Sequence, residues 1–165
     1  MRLRQLLKKD APLMLEWMHD PDVTGGLTNG FLDKTLEDCE NFIESSADTT
    51  GNLHLAIVTD EDEYMGSVSL KQIDRQTKEA EFAIAVRKAA MHKGYAGYGM
   101  AEIIRIAFAE QNLESVYWCV SAQNVRACKF YDKQGFPRTD DIPQSTKNRY
   151  GNRADLYWYR VQKNK

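Results

Sequence analysis

Between Met91 and Met100 the chain reads MHKGYAGYGM, with Gly94, Gly97 and Gly99, Ala96 among them, and the basic pair His92 and Lys93 in front. Glycine lets backbone approach a ligand closely, and the unpaired N–H groups of a helix's first turn, reinforced by the helix dipole, hold an anion. The apolar run Phe82 to Val86 precedes this stretch and a helical pattern to about Gln111 follows it. A strand, a tight turn and a helix start in that order suit a pyrophosphate cradle. The spacing G-Y-A-G-Y-G fits neither a dinucleotide GxGxxG turn nor a P-loop, and no Gly-Lys-Ser/Thr follows. Just upstream, strand alternation puts Glu79, Glu81, Ala83 and Ala85 on one face and Phe82, Ile84 and Val86 on the other, so a carboxylate lies in line with small residues. Asn124 reads as a helix cap, and Tyr131, beside Ala127 and Phe130, as an aromatic on the core face of that helix. Cys39, Cys119 and Cys128 are odd in number and lack a CxxC pair, and His19, His54 and His92 are scattered. Reduced thiols and no metal site are expected.

These residues need elements to hold them. Leu3, Gln5 and Leu7 alternate in a first strand over Met1 to Leu7, and Asp10 can cap a helix through Pro12, Leu15, Trp17 and Met18. His19 to Asp22 stops that helix, and the glycine-rich segment Thr24 to Gly30 reads as a mobile loop. Thr35 begins a second helix with Leu36, Cys39, Phe42 and Ile43 on one face. The strand from Leu53, the return over Tyr64 to Ile73 and the strand Glu79 to Val86 predict an antiparallel meander. After the glycine turn, Met100, Ile103, Ile104, Ala107 and Phe108 make a core-facing helical stripe. Val116 to Val120 is apolar throughout, hence a central strand. Asn124 then opens a helix that Gly135 and Phe136 close. Pro137 to Pro143 reads as strand or loop, a polar stretch follows to Arg153, and an aromatic strand covers Leu156 to Val161. The pattern is α/β, with a mixed, mostly antiparallel central sheet and flanking helices.

The chain of 165 residues has room for one domain with a core, over 1–165. Its 22 Lys and Arg against 24 Asp and Glu, a formal charge of -2, give no reason to expect nucleic acid or an acidic membrane as partner. No apolar run approaches the roughly 20 residues that cross a bilayer, and MRLRQLLKKD lacks the apolar core of a signal peptide. A cytoplasmic protein is expected.

Over nearly its whole length the sequence resembles the GNAT superfamily of acyl-CoA-dependent N-acetyltransferases. That family's Q/R-x-x-G-x-G/A fingerprint aligns with Met91, His92, Lys93, Gly94, Tyr95 and Ala96, after a strand ending Ile84-Ala85-Val86. A second fingerprint matches Asn124, Tyr131, Gly135 and Phe136. The run VYWCVSAQNVRACKFYDKQGF is similar to the branch of ribosomal-protein N-terminal and nucleotide-sugar amine acetyltransferases. Met91 departs from the usual Gln or Arg, but backbone N–H groups do most of the work in such a loop, and His92 or Lys93 can supply charge.

The resemblance implies acetyl-CoA as co-substrate and direct transfer to a primary amine in a ternary complex. The pyrophosphate would rest on His92, Lys93, Gly94, Tyr95, Ala96 and Gly97, and the pantetheine arm on the backbone of Ile84, Ala85 and Val86 and on Asn124. A backbone N–H near Ala83 or Ile84 would polarise the carbonyl. Glu81, with Glu79 in reserve, would take the amine's proton, and Tyr131 would protonate the departing thiolate. Cys119 stands where some protein N-terminal acetyltransferases of this branch carry Glu, which tells against that subgroup; Cys119 and Cys128 read as core thiols. The acceptor reading is a small amine, such as an amino-sugar nucleotide, ahead of a peptide amine; a catalytically silent acyl-CoA-binding module is the alternative. Tyr150, Tyr157, Trp158 and Tyr159 are candidates for the acceptor-pocket wall, for a homodimer contact or for core, and Trp17 and His19 for the acceptor side.

Overall fold

Alternating apolar residues, and in the central strand a continuous apolar run, build six strands, and the computed structural model, which describes residues 1–27 and 30–164, joins them in chain order. They are β1 (Arg2–Gln5), β2 (Leu53–Val58), β3 (Tyr64–Asp74), β4 (Glu79–Val86), β5 (Ser115–Ser121) and β6 (Leu156–Gln162). Every pairing is antiparallel except β4 with β5. That parallel step requires a crossover, and α4 (Tyr95–Ala109) supplies it.

The sheet has two covered faces. On one, α4 and α5 (Val125–Lys133) pack Met100, Ile103, Ala107, Cys128 and Tyr131 against the strand residues Ile57, Val68, Phe82 and Trp118. Burying a side chain such as Ile103, which is fully buried, stabilises by about 1.5–3 kcal/mol. On the other face, α1 (Ala11–Met18) and α3 (Leu36–Ser45) cover Ala56, Val58 and Tyr64, while a smaller cluster of Tyr117, Ile142, Leu156 and Trp158 lies toward β6. The helix signals act as expected at Thr35, which forms a reciprocal capping box with Asp38, and at Asn124, whose Oδ1 accepts from the Ala127 N–H at 3.2 Å.

Four expectations need correction. Asp10 does not cap α1: it is buried and its carboxylate takes two bonds from Arg4, at 2.8 and 2.9 Å, and one from the Leu7 N–H. His19 to Asp22 ends α1, yet Pro21 also opens a short helix, α2 (Pro21–Thr24), capped by Asp20, so Thr24 is not loop. Thr28 and Asn29, within the segment expected to be mobile, lie outside the described residues. The polar stretch before Arg153 contains a helix, α6 (Gln144–Arg149), that no apolar periodicity announces.

Gly99 is the fourth. It is buried inside α4, and a Cβ there would stand 2.5 Å from Cδ1 of the fully buried Ile57. It lets the helix sit close to the sheet and takes no part in a cradle. Gly99→Ala gains roughly 1 kcal/mol of helix propensity but overpacks by about 1–3 kcal/mol. A net fall in Tm of a few degrees, on the order of 2–4 °C per kcal/mol, is expected in a thermal melt.

Candidate active site

β4 and β5 are neighbours only at Glu79↔Ser115, Ala80↔Val116 and Glu81↔Tyr117. β4 continues to Val86 and β5 to Ser121 without pairing, so the two strands part beyond Glu81 and Tyr117. The parting leaves backbone donors and acceptors of β4 free. The Arg87 N–H donates to the Met65 carbonyl at 2.8 Å, so by alternation the odd-numbered residues of β4 bond to β3. The N–H and C=O groups of Phe82, Ile84 and Val86 therefore point into the opening. Ala85, expected to serve there too, turns its backbone to β3, as does Ala83; Ile84 carries the N–H nearest to where a carbonyl could be polarised.

A single 3-10 turn, Lys88–Ala90, leads from β4 to the glycine loop. His92 adopts φ 62° and Gly94 φ 88°, and α4 starts at Tyr95. Nothing stands within 4 Å of a Cβ built on Gly94, and at Gly97 only Gln134 Nε2 at 3.9 Å. The first N–H groups of α4 thus open onto clear space with His92, Lys93 and Gly94 exposed beside them, a shape and polarity that fit a pyrophosphate. Met91 packs toward the α1–α3 cluster, and its sulfur lies 3.3 Å from Arg126 Nη1. Arg126, on the exposed face of α5, places a guanidinium beside the loop position where the fingerprint has Gln or Arg; no local pattern singled it out.

Asn124 has both ends of its side chain engaged, for besides capping α5 it donates from Nδ2 to the Gly26 carbonyl at 3.1 Å. Arg126 likewise donates to the Asp22 carbonyl at 3.0 Å. Both α2, through Asp22, and the chain just after it, through Gly26, are thereby tied to the start of α5, at the place where Asn124 was expected to meet the pantetheine arm.

Tyr131 enters from α5. Its ring packs on Trp118, Phe130 and Tyr159 at centroid distances of 5.4, 5.4 and 5.2 Å, and its hydroxyl has no hydrogen bond among the described residues. Burial pushes the phenol above its ordinary range, with Tyr159, Cys119 and Cys128 adding to the shift. Glu81 enters from the opposite face of the sheet and is 3% exposed. Its Oε1 accepts from the Tyr150 hydroxyl, its Oε2 from Arg149 Nη2 at 3.0 Å, and Lys71 Nζ stands 3.7 Å away. Burial, then the bond to Glu81, pushes the Tyr150 phenol up, so Tyr150 is the donor. Glu79 bonds Arg160 instead and stands apart from this group.

Cys119 lies on the Glu81 face of β5, packed with Tyr117 and Trp158. It is half-buried on β5, not sealed in the core as expected, whereas Cys128 is buried. Burial first, and then the Glu81 charge, push its thiol up to about 12. Cys39 and Cys128 are raised by burial as well. Iodoacetamide at pH 8 is expected to leave the three thiols of the native protein unmodified while an unfolded control takes up three, read by intact mass.

Alternation along β6 sends Trp158 to the face opposite Tyr157 and Tyr159. Tyr159 is core, stacked on Trp118 at 5.6 Å; Trp158 and Tyr150 pack edge to face on the Glu81 side; Tyr157 points out with Arg138 over its ring. Trp17 is buried and donates to the Tyr64 hydroxyl at 2.9 Å, and His19 bonds the Lys34 carbonyl through Nε2 at 2.7 Å. Neither reaches Glu81. Tyr150 had been singled out from sequence, but Arg149 and Lys71 had not; register and the fold of α6 bring them to the carboxylate.

A mixed sheet whose parallel strands part above a glycine-led helix is the acyl-CoA N-acyltransferase architecture. The model of the acetyltransferase (GNAT) domain matches residues 1–137, and the chain belongs to that family of N-acetyltransferases. An uncharacterised N-acetyltransferase, p20, of Bacillus licheniformis is 22% identical over 164 residues, spanning 98% of this chain and 92% of its own. A Vibrio cholerae spermidine N-acetyltransferase in complex with CoA and spermine superposes with a TM-score of 0.80 at 17% identity, covering 98% of this chain and 94% of its own. A dodecameric form of the spermidine enzyme from that organism gives 0.73 at 16% identity, over 98% and 92%. Among the described residues no helix is long and apolar enough to cross a membrane, and no three His, Cys, Asp or Glu are grouped to hold a metal.

Proposed function

We propose that this protein transfers the acetyl group of acetyl-CoA to a primary amine of a small molecule, directly, within a ternary complex. The observation that carries this reading is the placing of Glu81 and Tyr131 on opposite faces of the sheet where β4 and β5 part. Bound acetyl-CoA supplies the activated acetyl thioester. Ile84 and Val86 offer backbone hydrogen bonds to an extended arm lying along β4, and the Ile84 N–H is oriented to stabilise a carbonyl oxygen that gains charge. Gly94, Tyr95, Ala96 and Gly97 offer N–H groups to the pyrophosphate, and His92, Lys93 and Arg126 bring positive charge near it.

An alkylamine is mostly protonated at neutral pH, with a pKa near ~10. Glu81 has lone pairs left beyond those bonded by Tyr150 and Arg149, and takes that proton directly or through one water. Tyr131 holds its proton on Oη until a thiolate arrives to accept it. Asn124 is available to the coenzyme's arm once its Nδ2 releases the Gly26 carbonyl.

The test is a thermal shift with acetyl-CoA and with CoA, followed by a screen of small amines, amino-sugar nucleotides and peptide N-termini for acetylation. Stabilisation together with acetylated small amines supports the reading. Stabilisation with no amine acetylated favours a silent CoA-binding module; acetylation of peptides alone favours a protein N-terminal acetyltransferase. No shift with either coenzyme form defeats all three.

A further inference from the structure

We infer that the amine acceptor carries an anionic group, a carboxylate or a phosphate, close to its reacting nitrogen, and that Lys71 and Arg149 select it. This rests on the acetyl-transfer reading and specifies its acceptor.

Register and alternation set Ser67, Ser69 and Lys71 of β3 beside Ala85, Ala83 and Glu81 of β4 on one face of the sheet. The first two pairs are small and uncharged. The third pair is charged. Glu81 is the one carboxylate of that group, and two cations attend it: Arg149 by a 3.0 Å bond and Lys71 at 3.7 Å. Farther out, Arg160 is shared by Glu79 and the exposed Asp141, and Arg153 pairs with Asp155. His54, across from Ser69 on β2, adds no charge of its own at neutral pH: burial, and then Lys71, hold its imidazole below the usual range, and Nδ1 bonds Ser69 Oγ at 2.6 Å. The surplus of one positive charge belongs to the groups in direct contact, Lys71 and Arg149 against Glu81.

Lys71 carries that surplus in a form that can bind. Its side chain is 29% exposed, and its ammonium, 3.7 Å from Glu81 Oε1, makes no hydrogen bond among the described residues, so its three N–H donors remain available. Arg149 uses only Nη2, leaving the rest of its fork free among the described partners. An acceptor amine that reaches Glu81 must come near both cations. A second amine on the acceptor would be repelled there, whereas an anion completes the cluster. Spermidine, named for the Vibrio cholerae structures, is the opposite kind of acceptor.

The test compares kcat/KM for acceptors differing in charge, 1,4-diaminobutane against 4-aminobutanoate and O-phosphoethanolamine of similar length, with the longer spermidine as a further polycation. The anionic acceptors are expected to lead the diamine by roughly 10-fold or more, and their relative rates tell carboxylate from phosphate. Lys71→Met is expected to reduce the anionic-to-diamine ratio by roughly 10-fold, through KM, and Lys71→Arg to restore most of it. Equal or better use of the diamine or spermidine overturns the inference and leaves the acetyl-transfer reading standing, as does a ratio unmoved by Lys71→Met in a protein that melts like the wild type. Acetylation of none of the four, with acetyl-CoA bound, counts against that reading and brings the inference down with it.

Discussion

Tyr131→Phe is expected to lower kcat by roughly 10²–10⁴, the range lost when a positioned general acid is removed, while acetyl-CoA still raises the melting temperature as it does for the wild type. The substitution is clean. The aromatic ring that packs on Trp118, Phe130 and Tyr159 is retained, and the hydroxyl that goes has no hydrogen-bond partner among the described residues. Stability should change by less than about 0.5 kcal/mol, so a lost rate cannot be blamed on folding. A phenol raised by burial would be a poor acid toward an ordinary thiolate of pKa ~8.5. That comparison takes the thiolate in water, whereas a thiolate released beside a buried phenol is itself desolvated and so a stronger base. Desolvation raises donor and acceptor together and keeps the proton transfer feasible. Single-turnover rates read the result, and an unaltered kcat in the variant would return Tyr131 to the status of a core aromatic.

Local patterns made much of this fold legible. Period-two alternation marked most of the strands and a continuous apolar run marked β5, while the chemistry of single residues marked the caps at Thr35 and Asn124 and the tight turn at Gly94. What escaped notice was of another kind. The α6 segment QSTKNR lacks an apolar stripe, because it covers the Glu81 side mainly with polar residues such as the buried Thr146, which bonds Tyr117. Pro21 carries opposite meanings as a stop and as a first helical residue, and the Asp20 cap decides between them. Gly99 looked like part of the cradle because spacing alone cannot show that Ile57, more than forty positions away in sequence, presses on it. The same limit hid the difference between Ile84 and Ala85: adjacent strand residues send their backbone groups to opposite neighbours, and which neighbour departs is a property of the whole sheet. Glu81 could be chosen from its face of the strand, but its partners arrive from β3 and α6.

Those partners decide what Glu81→Gln should do. The amide is nearly the shape of the carboxylate, and one orientation satisfies the surroundings, with the carbonyl accepting from Arg149 and the NH₂ group donating to the Tyr150 oxygen. The site should stay assembled. Two attending cations lose their neutralising charge, however. Because Arg149 is 37% and Lys71 29% exposed, solvent screens much of that loss, and a destabilisation of about 1–2 kcal/mol is expected in place of the larger value for a sealed pair. Catalysis should suffer far more. With no carboxylate to accept the amine's proton, kcat/KM is expected to fall by roughly 10²–10⁴ at pH 7. The pH profile separates the two effects. Only amine that has already lost its proton can react in the variant, so below the amine pKa of ~10 the rate should climb nearly tenfold per pH unit, and the deficit should narrow as pH rises. A purely structural role for Glu81 predicts a deficit of constant size that follows the loss of stability. Rate profiles from pH 6 to 9 on protein verified as folded decide it: parallel curves for wild type and variant would mean that Glu81 holds Arg149, Lys71 and Tyr150 in place and that the proton leaves by another route.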